Sequence, residues 1–165
     1  MRFPFEEEFG GSDFLDSKEL KELGERIISE KFPYYDGEVL IDYRWKRRGG
    51  SSGGNVVLGK CTRLTGLARH LSLGVHYSVW LAVDHCKAYQ FNDEQLEALV
   101  YHELCHIERD EPKDEDKPVT WRTRGHDSEV FFAELREYGA WRPTLEQLVE
   151  TVRQLPLPME IATPV

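Results

Sequence analysis

The sequence predicts an α+β fold, because segments patterned as helices are combined with segments rich in strand-forming residues. Apolar residues recur at helical spacing in four segments, at 17–31, 92–107, 126–139 and 144–155. Residues with high β propensity are concentrated in three segments, at 39–45, 55–62 and 77–84. With 165 residues, the chain is long enough for one domain with a sizeable core and short for two. We therefore predict one domain at 18–155, preceded by an arm at 1–17 and followed by a proline-rich tail at 156–165.

Capping residues mark the ends of the first two helices. Ser17 can accept a hydrogen bond from the first turn of the first helix, and Pro33 follows its last turn. Asn92 can cap the second helix, and Gln95, three residues later, can complete a capping box. We therefore expect the second helix to be firmly anchored at its N-terminus.

The strand segments predict a small sheet. Those at 39–45 and 55–62 are expected to pair as a hairpin around the glycine- and serine-rich tip at 49–54. Both faces of the segment at 77–84 are largely apolar, so we expect it to be covered on both sides and to lead directly into the helix at Asn92. The segments that follow that helix are predicted to be an acidic loop and a short extended stretch, at 108–117 and 119–124.

Composition and charge argue against several classes of protein. The formal net charge of −9 is unfavourable for a general nucleic-acid-binding protein. No apolar run approaches the roughly 18 residues that a membrane span needs, and the N-terminus lacks the apolar core of a signal peptide. The three cysteines form no Cys-x-x-Cys pair, so neither a disulfide framework nor a zinc ribbon is indicated. We expect a cytoplasmic protein without a membrane partner.

Positive charge is concentrated in one segment of this acidic chain. Residues 44–69, which we call the basic segment, contain seven basic residues and no acidic one, leaving −16 on the remainder. Such a segment could bind an anionic partner such as nucleic acid. We favour the alternative, a solvated loop, because most charged loop residues only keep a loop in water.

The strongest chemical signal is the sequence His102-Glu103-Leu104-Cys105-His106, which matches the pattern His-Glu-x-x-His within the second predicted helix. Residues four apart lie on the same face of a helix, so the imidazoles of His102 and His106 can converge on one metal ion. Glu103 then lies beside the ion and not on it. In metal-dependent hydrolases, a carboxylate at this place acts as the general base, because the ion lowers the pKa of its bound water.

A catalytic zinc ion usually has three protein ligands, so the two histidines need a third. The candidates downstream are His126, Asp127, Glu129 and Glu134. His126 is the simplest, because it begins the next predicted helix and can be a ligand if that helix packs against the motif helix. The metzincin continuation of the motif is excluded, because its glycine and histidine are replaced by Arg109 and Pro112. The alternative is a chance match, with both histidines being ordinary surface or core residues.

The motif and its flanking segments resemble the putative phage metallopeptidase family, a branch of the SprT-like zincins. The resemblance is carried by Tyr101 to His106, an acidic insertion, Gly125-His126, and a helix that ends in Tyr138-Gly139 and Trp141. Upstream, Val56 to Lys60 and Leu64 to Leu67 are also similar to that family. The resemblance spans roughly residues 18–141. It implies a zincin-like minimal fold, in which a sheet of three or slightly more strands packs with the motif helix and two or three further helices.

The resemblance also implies an activity. It assigns His102, His106 and His126 as ligands of a zinc ion. It assigns Glu103 as the catalytic acid and base of a metallopeptidase that cleaves peptides or proteins. An extended substrate is expected to add to the sheet, at the strand 77–84 or its neighbour. An oxyanion stabiliser is also needed, and the candidates are Tyr101, Tyr138 and Arg124.

A binding protein is the alternative to an enzyme. In that case a zinc site only holds the fold together, and the basic segment contacts nucleic acid or a protein partner. Structural zinc sites are closed by four protein ligands, whereas catalytic sites keep a position for water. The intact Glu103 favours the enzyme, because a structural site has no use for a base there.

Overall fold

The computed structural model describes residues 1–35, 37–111, 119–126, 140 and 143–154. Its α-helices are α1 (Lys18–Lys31), α2 (Gly66–Leu71), α3 (Val83–Ala88), α4 (Asp93–Cys105) and α5 (Pro143–Gln154). Its strands are β1 (Phe14–Asp16), β2 (Ile41–Lys46), β3 (Gly50–Ser52), β4 (Asn55–Val57), β5 (Gly59–Arg63), β6 (Tyr77–Ala82), β7 (Ile107–Asp110) and β8 (Thr120–Thr123). A 3-10 helix, Glu6–Phe9, precedes β1. The predicted α+β class is confirmed. No described helix is long and apolar enough to cross a membrane.

Contacts divide the chain into two compact units, with the division between Arg124 and Gly125. The first unit holds all eight strands and α1 to α4. The described residues of the second unit include α5. This helix begins at Pro143 and ends at Gln154, so both of its ends lie one residue earlier than those of the predicted helix at 144–155.

The main sheet of the first unit has four strands in the order β1-β2-β6-β5. β2 and β6 are parallel, with Ile41 opposite Tyr77, whereas β1 pairs with β2 and β5 with β6 in antiparallel fashion. Within this sheet β5 is therefore an edge strand.

The core lies on one face of this sheet, against α1 and α4. Alternation along β2 and β6 turns every second side chain towards this face, which is why these residues are buried. The sheet contributes Tyr43, Trp45, Val79 and Leu81, and the helices contribute Leu20 and Ile27 from α1 and Leu96, Val100 and Leu104 from α4. The C-terminal half of α4 is thereby held rigidly under β5 and β6.

The predicted caps of α1 and α4 are confirmed. The Ser17 hydroxyl accepts a hydrogen bond from the Leu20 N–H at 3.2 Å. Asn92 and Gln95 form the full capping box, since each side-chain oxygen accepts from the backbone N–H of the other residue, at 2.8 and 3.0 Å. Local sequence is therefore enough to start both helices at the observed residues.

The predicted hairpin of 39–45 with 55–62 is wrong. The glycine-rich tip closes a hairpin of its own, in which β3 pairs with β4 around Gly53 and Gly54 at φ values of 57° and 83°. The chain beyond this small hairpin forms β5, which pairs with β6, and β2 pairs with β1 and β6 instead.

The predictions between the sheet and α4 also need correction. The strand ends at Ala82, and α3 intervenes before Asn92, because Val83 and Cys86 are buried at helical spacing. The predicted acidic loop after α4 begins as a strand, β7, and β8 confirms the predicted extended stretch. Residues 112–118 of that loop and 127–139 of the predicted third helix lie outside the described residues.

Part of the predicted N-terminal arm at 1–17, the strand β1, belongs to the main sheet. β1 pairs with β2, with Leu15 opposite Trp45, and the side chain of Phe9 is buried in the core. Regular structure thus begins ahead of residue 18. The division into arm, domain and tail stays a prediction.

Candidate metal centre

The C-terminal end of α4 carries the His-Glu-x-x-His motif, with His102 and Glu103 in the last turn and His106 as the C-cap. The rings of His102 and His106 are neighbours on the helix face, with 5.2 Å between their centroids. His102 is exposed and His106 is half-buried, whereas the side chain of Glu103 is only 4% exposed. The helix therefore presents two imidazoles at its surface and directs the carboxylate between them into the protein.

A hairpin brings the downstream chain back to this end of α4. β7 continues directly from the helix, and β8 pairs with it so that Ile107 lies opposite Thr123. The pairing extends one step further, since the Arg124 N–H donates to the His106 carbonyl at 2.8 Å. His126 follows only two residues after Arg124.

The structure places the imidazoles of His102, His106 and His126 together. One ring nitrogen of each lies within 4.8 Å of the other two. Among the described residues, this is the one group of three or more potential metal ligands with such a spacing. Three convergent imidazoles are a typical protein contribution to a zinc site.

A family model described as putative phage metallopeptidase matches residues 12–153, which is most of the chain. The chain belongs to the putative phage metallopeptidase family. Neither the search of curated proteins nor that of solved structures gives a match. The family assignment agrees with the resemblance expected from the sequence, and it supports a metal-dependent peptidase as the general class of protein.

One ring nitrogen of His106 already forms a hydrogen bond within the protein. Its Nδ1 lies 2.8 Å from the Arg124 carbonyl oxygen, which can only accept a hydrogen bond. Nδ1 therefore carries the proton, and Nε2 is the nitrogen that can bind a metal ion. Metal-ligating histidines commonly donate their second N–H to a carbonyl in this way, which fixes the ring orientation.

The Glu103 carboxylate is held against the edge strand β5. Burial raises the pKa of Glu103 to about 7, an effect that His106 and a hydrogen bond from the Cys61 backbone N–H reduce. A buried carboxylate with one main-chain donor is constrained in position. A bound divalent cation would favour the ionised form and lower the pKa of Glu103 again.

Gly59 leaves the space that this carboxylate occupies. A Cβ atom added at Gly59 would lie 2.7 Å from Glu103 Oε1 and 3.0 Å from the Leu81 side chain. Both distances are too short for a carbon atom in ordinary contact. On β5, the missing side chain of Gly59 thus leaves room for the Glu103 carboxylate, and the backbone N–H of Cys61 donates a hydrogen bond to it.

The edge of β5 next to Glu103 faces away from β6. The Leu58 carbonyl accepts from Ala82 at 2.7 Å, and the Leu64 N–H donates to His76 at 2.8 Å. Because peptide groups alternate in direction along a strand, those of Gly59, Cys61 and Arg63 point to the opposite side. This edge belongs to a neighbour of the predicted 77–84 strand, where we expected an extended substrate to add.

The remaining histidines lie in other surroundings. The His85 Nδ1 is 3.1 Å from the Val57 carbonyl oxygen, and the His76 Nδ1 accepts from the Leu40 N–H at 3.0 Å. His70 is on α2. Neither these three nor any other described residue joins the cluster at α4. The alternative ligands Asp127, Glu129 and Glu134 lie outside the described residues.

The oxyanion candidates stay predictions. The ring of Tyr101 packs against Phe32 with 5.3 Å between centroids, and Arg124 contributes its main chain to the hydrogen bonds with His106. Tyr138 is outside the described residues.

Part of the basic segment is neutralised within the fold. The Arg44 guanidinium lies 2.6 Å from Asp42 and 3.2 Å from Asp16. Arg47 forms ion pairs with Asp13 and Glu6 at 2.9 and 3.5 Å. These acidic partners lie outside the basic segment in the sequence, so its charge excess overstates the positive charge that it presents.

Proposed function

We propose that this protein is a zinc-dependent peptidase in which His102, His106 and His126 hold the metal ion and Glu103 is the general base. The proposal rests on one observation above all: three imidazoles converge beside a buried carboxylate that is held by the main chain of an edge strand. The family assignment supports the same chemistry.

The donor set fits zinc. A tetrahedral zinc ion with nitrogen ligands at about 2.1 Å needs those nitrogens roughly 3.4 Å apart, and the three ring nitrogens lie within 4.8 Å of one another. The hydrogen bond from His106 to Arg124 already selects the nitrogen that remains for the ion. Small side-chain movements of two exposed histidines would complete the convergence.

Zinc, when bound, would act as a Lewis acid that polarises the scissile carbonyl and makes a water molecule more acidic. Glu103 would accept a proton from the attacking water and later donate it to the leaving amine as the carbon–nitrogen bond breaks. Its hydrogen bond to the Cys61 N–H keeps one carboxylate oxygen in place. The other oxygen can then face the reacting water.

An extended peptide would align along β5. The outward N–H and carbonyl groups of Gly59 and Arg63 and the outward carbonyl of Cys61 offer the main-chain hydrogen bonds of an added strand, whereas the Cys61 N–H is used by Glu103. A substrate on this edge would therefore pass directly beside the general base.

The variant Glu103→Gln tests this proposal. It removes the base without removing a ligand, so we expect it to bind one zinc ion per chain and to lose at least about a hundredfold in cleavage of a peptide library. Zinc content by mass spectrometry of the intact protein and cleavage by product mass spectrometry are the two measurements. Unchanged cleavage by this variant would contradict the role of Glu103. A wild-type protein that binds zinc and cleaves nothing would favour the binding-protein alternative.

A further inference from the structure

A second concave site lies in the first unit, between the far end of β5 and the start of β8. Its volume is about 370 Å³. Arg63, Arg69 and His76 line it together with Tyr77, Trp121 and one acidic residue, Glu38. A cavity of this size can hold one amino-acid side chain.

The Arg69 guanidinium has more hydrogen-bond donors than its contacts in this cavity use. The Leu40 N–H donates to the His76 Nδ1 at 3.0 Å, and the Arg69 guanidinium approaches the Nε2 of the same ring at 2.6 Å. The Arg69 Nε also donates to the Gly74 carbonyl at 3.4 Å. A guanidinium has five N–H donors, so these two contacts leave others for a ligand.

The charges in the cavity favour an anion. Arg63 and Arg69 carry two positive charges, and burial together with these two arginines lowers the pKa of the His76 ring. The acidic residue, Glu38, lies 3.7 Å from the Arg109 guanidinium, which also pairs with Glu111 at 2.6 Å, so the two arginines of the cavity face one partly offset negative charge. Guanidinium groups pair strongly with carboxylates because they can donate two parallel hydrogen bonds.

Two strands connect this cavity to the metal centre. β5 passes Glu103 at Gly59 and Cys61 and then reaches Arg63. The distance from Cys61 to Arg63 is about 7 Å at roughly 3.3 Å per residue. β8 leads from Trp121 in the cavity to Arg124, the residue after its last one, which is beside His106 and about 10 Å away on the same measure. The cavity thus lies two or three residues of extended chain away from the reacting position.

From these observations we propose that the cavity is a specificity subsite, in which Arg63 and Arg69 bind the carboxylate of an Asp or Glu side chain two or three residues from the scissile bond of a peptide substrate. The proposal rests on the proposed peptidase function, which places the scissile bond beside Glu103.

The test is a positional library of fluorescently labelled decapeptides, with Glu or Gln at each position in turn. Cleavage by the zinc-loaded protein is expected to prefer Glu over Gln by about tenfold at one position. Arg63→Gln and Arg69→Gln should each abolish that preference, measured as the ratio of Glu-peptide to Gln-peptide cleavage by the same variant. Lys60→Gln is the matched control, since Lys60 is a basic residue of the same strand on the opposite face and should leave the preference intact.

Binding measurements separate this proposal from the peptidase itself. Fluorescence anisotropy with zinc-loaded Glu103→Gln protein records the Glu-over-Gln ratio without any cleavage. If the wild type cleaves nothing but binding shows the preference and the arginine variants remove it, the subsite stands and the peptidase proposal fails. If no position prefers Glu in either assay, or if the preference survives in both arginine variants, the subsite proposal is overturned.

Discussion

At Glu103, the residue type that buried packing favours differs from the one that the proposed reaction needs. Its neighbours on the buried face of α4, Val100 and Leu104, are fully enclosed, and an apolar residue would suit position 103 as well. Burying a carboxylate is unfavourable unless it is hydrogen-bonded, and Cys61 supplies one such bond from the main chain. The unfavourable burial of this carboxylate is explained if it acts as the general base beside the two histidines.

Gly59 provides a test of how tightly that carboxylate is positioned. Gly59→Ala would place a methyl group 2.7 Å from Glu103 Oε1 and force the carboxylate to move. We expect peptide cleavage to fall by about tenfold to a hundredfold, with zinc content unchanged, as measured by product formation and metal analysis. Gly50→Ala is the control, since a Cβ at Gly50 meets nothing within 4 Å. Equal activity of the two variants would show that Glu103 does not depend on the space at Gly59.

The third ligand is tested by zinc content. His126→Ala should lose most of the bound zinc after dialysis, because two histidines alone hold the ion weakly. Asp127→Ala and Glu129→Ala should retain it, and His70→Ala serves as a control from outside the cluster. A loss of zinc in Glu129→Ala or Glu134→Ala, with His126→Ala unaffected, would indicate a site of two histidines and one glutamate.

At the scale of elements, the site depends on α4 and on the hairpin of β7 with β8. α4 fixes His102 and Glu103 in its last turn and ends at its C-cap, His106. The hairpin returns the chain to His106, and its pairing is supported by an ion pair of Glu108 with Arg122, directly opposite on the two strands, at 3.0 Å. Strand register therefore brings the chain at Arg124 back beside His106, two residues before His126.

Local and long-range information explain which predictions held. The two capped helices and the motif within α4 depend on residues a few positions apart, so the sequence was sufficient for them. Strand partners depend on contacts distant in sequence: β2 is followed by two short strands and β5 before its parallel partner β6. Alternation alone does not specify a partner, which is why β1 was not predicted and β5 was assigned to the wrong one. Opposite charges along 107–110 and 120–123 were the available signal for the last hairpin.

The capping box of α4 gives a prediction at this scale. Asn92→Ala removes the bond from Asn92 Oδ1 to the Gln95 N–H at 2.8 Å, so the free energy of unfolding should fall by about 1 kcal/mol. Urea denaturation followed by circular dichroism measures this change. Zinc content should stay the same, because the ligands lie three turns away at the other end of the helix. A loss of zinc would mean that the cap also controls the geometry of the metal centre.

At the scale of the whole molecule, the proposed metal ion joins elements that are far apart in sequence. His102 is on α4, His106 is its C-cap, and His126 follows β8. An ion that binds only the folded chain stabilises it by mass action. Charge also acts at this scale, because Arg44 and Arg47 pair with acidic residues of the N-terminal segment and hold it to the sheet.

Zinc removal should therefore lower the thermal stability of the protein. At a free zinc concentration a hundred times the dissociation constant, the stabilisation is about 2.7 kcal/mol, which corresponds to a shift of roughly 5 °C or more in melting temperature. Differential scanning calorimetry with and without a chelator measures the shift. His126→Ala should show a much smaller response, and an identical response would place the stabilising ion elsewhere.

The central claim is that a zinc ion on the three histidines makes this protein a peptidase. Its most direct test is a zinc titration of chelator-treated protein, with the rate of peptide-library cleavage as the readout. We predict that cleavage is absent without zinc, rises in proportion to added zinc and levels off at one ion per chain. Cleavage by the zinc-free protein, or full binding of one zinc ion without any cleavage, would contradict the claim.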